Sequence, residues 1–187
     1  MKIQDLHEDF KRQKLEWDKM VLDIETDGGD HILQVSYNIY DVHNTLIEQK
    51  NIYIYDGIHS TPFYPTISPE DIIQFGLTPE KASEIIVNDI NNVRIVIGHN
   101  VKQFDLVKIK KMITPLTIKS DLLIQDTMLE STDIIKIKTF RGYKYPKLIE
   151  LYKFLFHKEF DNQHNAIDDV NATFECYKKL CDDYHCF

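Results

Sequence analysis

The sequence predicts an α/β fold: a mixed five-stranded sheet, three antiparallel strands followed by parallel ones, flanked by helices. Three observations carry this expectation. Residues 19–26, 31–41 and 45–55 are successive runs rich in β-formers, separated by turn residues, as in an antiparallel meander. Beyond residue 68, helix-start signals alternate with short apolar runs, the order that gives parallel strands with helical crossovers. No linker or internal repeat divides the 187 residues, so one domain with a short appendage accommodates them.

Taken in order, residues 3–19 carry a loose apolar stripe of Ile3, Leu6, Phe10 and Leu15, expected as a short amphipathic helix. Residues 1–17 are read as an N-terminal helical extension and 18–187 as the main domain. Asp27-Gly28-Gly29-Asp30 is the turn after the first strand. Residues 56–69 form a loop with three prolines. Ser68-Pro69-Glu70-Asp71 and Thr78-Pro79-Glu80-Lys81 each open a helix, a cap residue being followed by proline at the first helical position. Residues 94–97 read as a short buried strand, and 100–113 as a helix capped by Asn100 with Gln103 three residues on. Residues 122–125 read as a further strand, and 146–156 and 166–182 as the last two helices.

The composition sets limits. At 43% hydrophobic the chain builds a real core. No apolar run approaches the roughly 18 residues of a membrane span, and the first 17 residues lack the apolar stretch of a secretory signal, so a soluble intracellular protein is expected, in cytoplasm or nucleus. Cys176, Cys181 and Cys186 match no zinc spacing and read as reduced structural thiols. The formal charge of −8 argues against a simple nucleic-acid binder. Two features offset it. Clustered carboxylates around bound cations reverse the local sign. Lys136, Lys138, Arg141, Lys144 and Lys147 also fall within twelve residues that contain no acid.

Carboxylates occupy positions where a core belongs. Asp23 and Glu25 lie in the run Met20-Val21-Leu22-Asp23-Ile24-Glu25, and strand residues two apart share a face, about 6–7 Å apart. Either the pair holds a metal, or the strand ends here with its acids in solvent. Asp105 shares a helical stripe with Val101, Ile109 and Met112; it faces the core and needs a cation or donor, or the helix is rotated so that it pairs with Lys102 or Lys108. Asp169 stands in a stripe of small residues, Ala166, Ala172, Thr173 and Cys176, which lets a helix lie close to a sheet and carry Asp169 against Asp23. Asn165 is a good N-cap, which leaves His164 in the loop before that helix, where it is a candidate to swing over an acid site or a merely solvated side chain.

Together these residues resemble the DEDDh (DnaQ-like) 3′–5′ exonucleases. Asp23-Ile24-Glu25-Thr26 is similar to the first motif of that family. Gly98-His99-Asn100 with Phe104-Asp105 is similar to the second, and His164-Asn165-Ala166-Ile167-Asp168-Asp169 to the third in its histidine form. Leu148, Leu151 and Phe156 resemble the leucine-rich helix that precedes the third motif. Asp27-Gly28-Gly29 departs from the Thr-Gly-Leu that often follows the first motif, at a turn that touches the terminal nucleotide in relatives.

The resemblance implies a ribonuclease-H-like fold and a phosphodiester hydrolase that uses two Mg²⁺ or Mn²⁺ ions to release nucleoside monophosphates from the 3′ end of DNA. Asp23, Glu25, Asp105 and Asp169 would hold the metal, with Asp23 bridging, and His164 would be the general base. Thr26 would meet the terminal sugar. Asn100 is either a helix cap or a substrate contact. Lys144 and Tyr145, with the rest of 136–147, either grip phosphate and stack on a frayed single-stranded end or form a mobile basic loop. RNA 3′-end trimming and an inactive module that binds nucleic acid or a polymerase are the alternatives. A polymerase or a second copy of the chain is the implied protein partner, and no membrane is.

Overall fold

The computed structural model describes residues 17–58, 61–63, 67–160 and 165–187. The central strand is β1 (Lys19–Thr26). On one side it pairs antiparallel with β2 (Ile32–Tyr40), which pairs antiparallel with β3 (Leu46–Tyr53). On the other side it pairs parallel with β4 (Ile95–Gly98), which pairs parallel with β5 (Leu123–Asp126). The order β3-β2-β1-β4-β5 is the mixed five-stranded sheet that the sequence predicts.

Alternation along β1 divides the core in two. Met20, Leu22 and Ile24 face helices α2 (Pro79–Asn92) and α3 (Asp105–Met112), where Ile86, Ile90, Leu106 and Ile109 close a large apolar cluster, while α1 (Pro69–Phe75) packs its Ile72 on Leu33 of β2. Val21 points the other way and packs with Ile97 against Val170, Phe174 and Tyr177 of α6 (Ala166–Tyr184). Asp23 and Glu25 continue the Val21 face, so both project toward α6.

The helix starts follow their local chemistry. The Ser68 hydroxyl accepts from the Asp71 N–H and Thr78 from Lys81, each before a proline at the first turn. Such a cap contributes about 1 kcal/mol. Asn165 caps α6 by accepting from the Ile167 N–H. A buried polar knot fastens α2 to the sheet: the Tyr37 hydroxyl donates to Asp89 at 2.7 Å and the Lys50 ammonium pairs with the same carboxylate.

Four expectations need revision or fall outside the described residues. The 100–113 segment is not one helix. Residues 100–104 form turns, α3 starts at Asp105, and its cap residue Phe104 gives no side-chain bond. Asn100 is therefore not a helix cap. A helix absent from the sequence reading, α4 (Thr127–Ile135), follows β5 directly. The basic segment contains a small antiparallel hairpin, β6 (Lys138–Thr139) and β7 (Gly142–Tyr143), before α5 (Leu148–Phe156). Of the amphipathic helix expected over residues 3–19, the part through residue 16 falls outside the described residues, and 17–19 are not helical: Trp17 is buried in the core and leads through Asp18 into β1 at Lys19. The three cysteines are free thiols, and Cys176 is buried.

Candidate active site

The site forms where the parallel part of the sheet runs out. β4 pairs with β1 only as far as Ile97 opposite Val21. Gly98 ends the strand, and a Cβ there would lie 2.6 Å from the Val101 Cβ and 3.1 Å from the Leu22 carbonyl, so only glycine permits this approach. Past this point the Ile24 N–H has no strand partner on the β4 side, and it donates to the Asp105 carboxylate.

Asp105 is 3% exposed and sits in the first turn of α3, where its own N–H also supports it. It faces the core as its stripe predicts, and the lysines do not capture it. The Lys108 ammonium instead bonds the Gly29 carbonyl and, with Lys111, the Asp30 carboxylate, tying the 27–30 turn to α3.

Asp23, Glu25 and Asp169 converge. Each offers one carboxylate oxygen, and these oxygens all lie within 4.8 Å of one another. Asp169 is carried to β1 by α6, whose Val170, Phe174 and Tyr177 pack on Val21 and Ile97 of the sheet; the small residues Ala172 and Cys176 pack instead against Leu151, Tyr152 and Leu155 of α5. Burial and then crowding raise the affinity of Asp23 and Glu25 for protons. Burial, and then repulsion from Asp105, Asp169 and Glu25, holds the Asp23 carboxyl well above the usual range. Glu25 is pushed up to about 8, by burial first and then by Asp169 and Asp105. Burial lifts Asp105 to about 7 against its two backbone donors, with a contribution from Asp126. A buried carboxylate set with no cation is costly, and an all-oxygen set of this kind suits a hard divalent ion.

A cavity of about 350 Å³ opens over these groups, lined by Asp23, Ile24, Glu25, Thr26, Gly28, Phe63, Phe104 and Asp169. Thr26 lies at its wall, and its hydroxyl accepts from the Gly28 N–H. Phe63 is anchored by its N–H to the Thr26 carbonyl, and its ring covers Gly28, whose φ of +87° and 2.7 Å clearance leave no room for a side chain. Phe104, partly exposed, carries Lys108 over its ring. Neither Phe63 nor the ring role of Phe104 followed from the sequence; Phe104 had a signal in its place before Asp105, whereas Phe63 lies in a loop with no periodicity.

Asp126 was also missed. It is fully buried at the end of β5 and caps α4 through the Met128 and Leu129 N–H groups. Its two oxygens also accept from the backbone N–H groups of Asn100 and Lys102, both at 3.0 Å. One carboxylate thus sets the loop that delivers Phe104 and Asp105. Asn100 holds a left-handed φ of +71°, a conformation that asparagine tolerates better than most residues. His99, half-buried, donates from Nε2 to the Pro146 carbonyl, since a carbonyl only accepts, and its Nδ1 lies 3.0 Å from the Thr127 hydroxyl, which donates to the Gly98 carbonyl. Burial lowers its pKa, which agrees with a neutral structural ring.

Of the remaining sequence candidates, Asn100, Lys144 and Tyr145 are not among the described residues that line the cavity. The Lys144 ammonium pairs with Glu150, whose other oxygen accepts the Lys147 N–H at the start of α5. His164 lies outside the described residues.

The sheet order, with helices on both faces, defines a ribonuclease-H-like α/β fold. Among solved structures, Escherichia coli Exonuclease I in complex with a dT13 oligonucleotide shares it, with a TM-score of 0.67 over 88% of this chain and 18% sequence identity. This chain spans 41% of the length of that one. No protein-family model matches the chain, and no curated protein sequence does. Among the described residues no helix is long and apolar enough to cross a membrane.

Proposed function

We propose that the protein is a divalent-metal-dependent 3′–5′ exonuclease that releases nucleoside monophosphates from single-stranded or frayed DNA ends. The observation that carries this reading is the convergence of Asp23, Glu25 and Asp169 at the floor of an open cavity, with Asp105 buried behind them. Carboxylates set so close that Asp105 and Asp169 both raise the proton affinity of Asp23 and Glu25 are a poor arrangement for a structural core and a good one for Mg²⁺ or Mn²⁺.

Asp23, Glu25 and Asp169 are the residues that would hold the metal, with Asp105 in support. A pair of such ions, when bound, supplies Lewis-acid activation of water and neutralises the leaving oxygen. The chain's own groups do the rest. His164, which immediately precedes the cap Asn165 in sequence, takes the proton from the attacking water, work that suits an imidazole with an ordinary pKa near 6.5. Thr26 and the turn it supports set the end of the strand against the acids. Phe63 and Phe104 offer apolar faces on which the terminal base stacks and excludes water. The solved structure of similar fold holds a dT13 oligonucleotide, which favours DNA over RNA.

The test is a 5′-labelled 12-mer with purified protein. Stepwise shortening from the 3′ end with release of mononucleotides is expected with Mg²⁺ and none with EDTA. Metal-independent cutting, internal cutting, or an undiminished rate in both Asp23→Asn and His164→Ala refutes the proposal. A matched RNA 12-mer cut faster than the DNA moves the assignment to RNA trimming. An inactive module would bind no Mg²⁺ in a calorimetric titration.

A further inference from the structure

The basic segment folds into a short hairpin with a solvent-exposed tip. In the β6–β7 hairpin Lys138 faces Tyr143 and Thr139 faces Gly142, which leaves Phe140 and Arg141 alone at the tip. The tip is fixed locally. The Thr139 hydroxyl holds the Arg141 N–H, the Gly142 carbonyl lies 2.9 Å from the same oxygen, and Gly142 takes a φ of +119°. Phe140 is fully exposed, and Lys138 and Arg141 make no ion pair among the described residues. An apolar ring presented wholly to water, between two cations without an ion pair among the described residues, has no role in the core.

The foot of the hairpin is attached to the site. The Pro146 carbonyl accepts from half-buried His99, which adjoins Gly98 at the end of β4. The Lys144 N–H bonds the Ile137 carbonyl and closes the base of the hairpin. The hairpin therefore rises from the C-terminal end of the parallel strands, the end that carries the acid cavity and the 100–104 loop. On a chain of formal charge −8, the twelve residues 136–147 hold five cations and no acid.

We infer that this hairpin is a second nucleic-acid contact, which grips the strand upstream of its 3′ end. Lys138 and Arg141 pair with backbone phosphates and a base stacks on Phe140, the combination of cation and ring that binds single strands without sequence preference. The inference rests on the exonuclease reading for its substrate. It supplies what the cavity lacks: attraction for a polyanion that a cluster of carboxylates otherwise repels.

The triple substitution Lys138→Gln, Phe140→Ala, Arg141→Gln tests it. Fluorescence anisotropy in EDTA with dT12 and U12 is expected to show about tenfold weaker binding at 50 mM salt. The slope of log K against log salt should fall by about 1.4, for two lost phosphate contacts at about 0.7 each. In turnover, the wild type should prefer a 12-mer to a trimer, and the variant should lose that preference through KM. The conservative triple Lys138→Arg, Phe140→Trp, Arg141→Lys should restore it, which separates contact from misfolding. Equal binding by wild type and variant, an equal loss on trimer and 12-mer, or an effect confined to anionic vesicles overturns the inference. A wild type that binds dT12 through the hairpin but never shortens it refutes the exonuclease reading alone.

Discussion

The acid cavity and the basic hairpin hold their charges in opposite ways. Asp23, Glu25, Asp105 and Asp169 stand on β1, α3 and α6, elements locked by core packing on both faces of the sheet. Lys138 and Arg141 stand on a two-stranded ribbon in water. At the 4.8 Å limit, two ionised carboxylates in a medium of effective dielectric about 20 repel by about 3–4 kcal/mol. Cations in bulk water interact by only about 1 kcal/mol even at 4 Å. The cavity therefore carries a cost that only a counter-ion or a proton removes, while the hairpin carries none and needs only a surface to meet. Under the proposed function, the first region binds ions in fixed geometry and the second attracts a polymer loosely.

The largest expected effect separates the two at once. Asp23→Asn should reduce mononucleotide release on the order of 10³-fold, while the metal-free protein melts at a higher temperature because repulsion is relieved. A lower melting temperature would mean that Asp23 is a structural group and the contrast is false. Next comes Asp126→Ala, which strips an acceptor from four backbone N–H groups. It should cost roughly 3 kcal/mol in urea unfolding, against less than about 0.5 kcal/mol for Lys138→Gln on the hairpin. Equal costs would remove the distinction between a rigid and a solvated region.

A pH series sharpens the same point. Glu25 has its pKa raised from 4.5 to about 8 in the fold, so the fold favours its protonated form. Stability present below pH 4.5 is lost as pH rises through 8. In EDTA the melting temperature should drop across that window, and added Mg²⁺ should raise it more at pH 8 than at pH 6. A flat profile would show that the acids do not press on one another. Smaller still, Phe104→Ala should raise KM about tenfold, within the 1–3 kcal/mol of a base–ring stack. Gly28→Ala should cost about 1 kcal/mol in the melting curve, because its φ and the Phe63 ring both oppose a methyl group; no cost would mean that the Phe63 contact is loose.

Much of the architecture was legible in the sequence because it is written in local periodicity. The faces of β1 and the proline-marked helix starts stand in the fold as read, whereas the small-residue stripe of α6 does not all meet the sheet, since Ala172 and Cys176 pack on α5. What was not legible depends on partners distant in sequence. Asparagine suits an N-cap and a left-handed turn equally, so Asn100 alone could not choose between them; the choice is made by Asp126, which holds its N–H from 26 residues away. Helix α4 was hidden for a related reason, since its cap is the last residue of a strand. The hairpin is only two residues per strand, too short for alternation to register. Phe63 gains its place from a backbone bond to Thr26 that no local pattern encodes.

The four carboxylates come from three segments widely separated along the chain, and the last of them rides on α6, the final helix. Under the proposed function, the ion site then closes only when α6 packs on the sheet: a chain clipped ahead of α6 keeps Asp23, Glu25 and Asp105 but lacks Asp169, and it should bind Mg²⁺ more weakly.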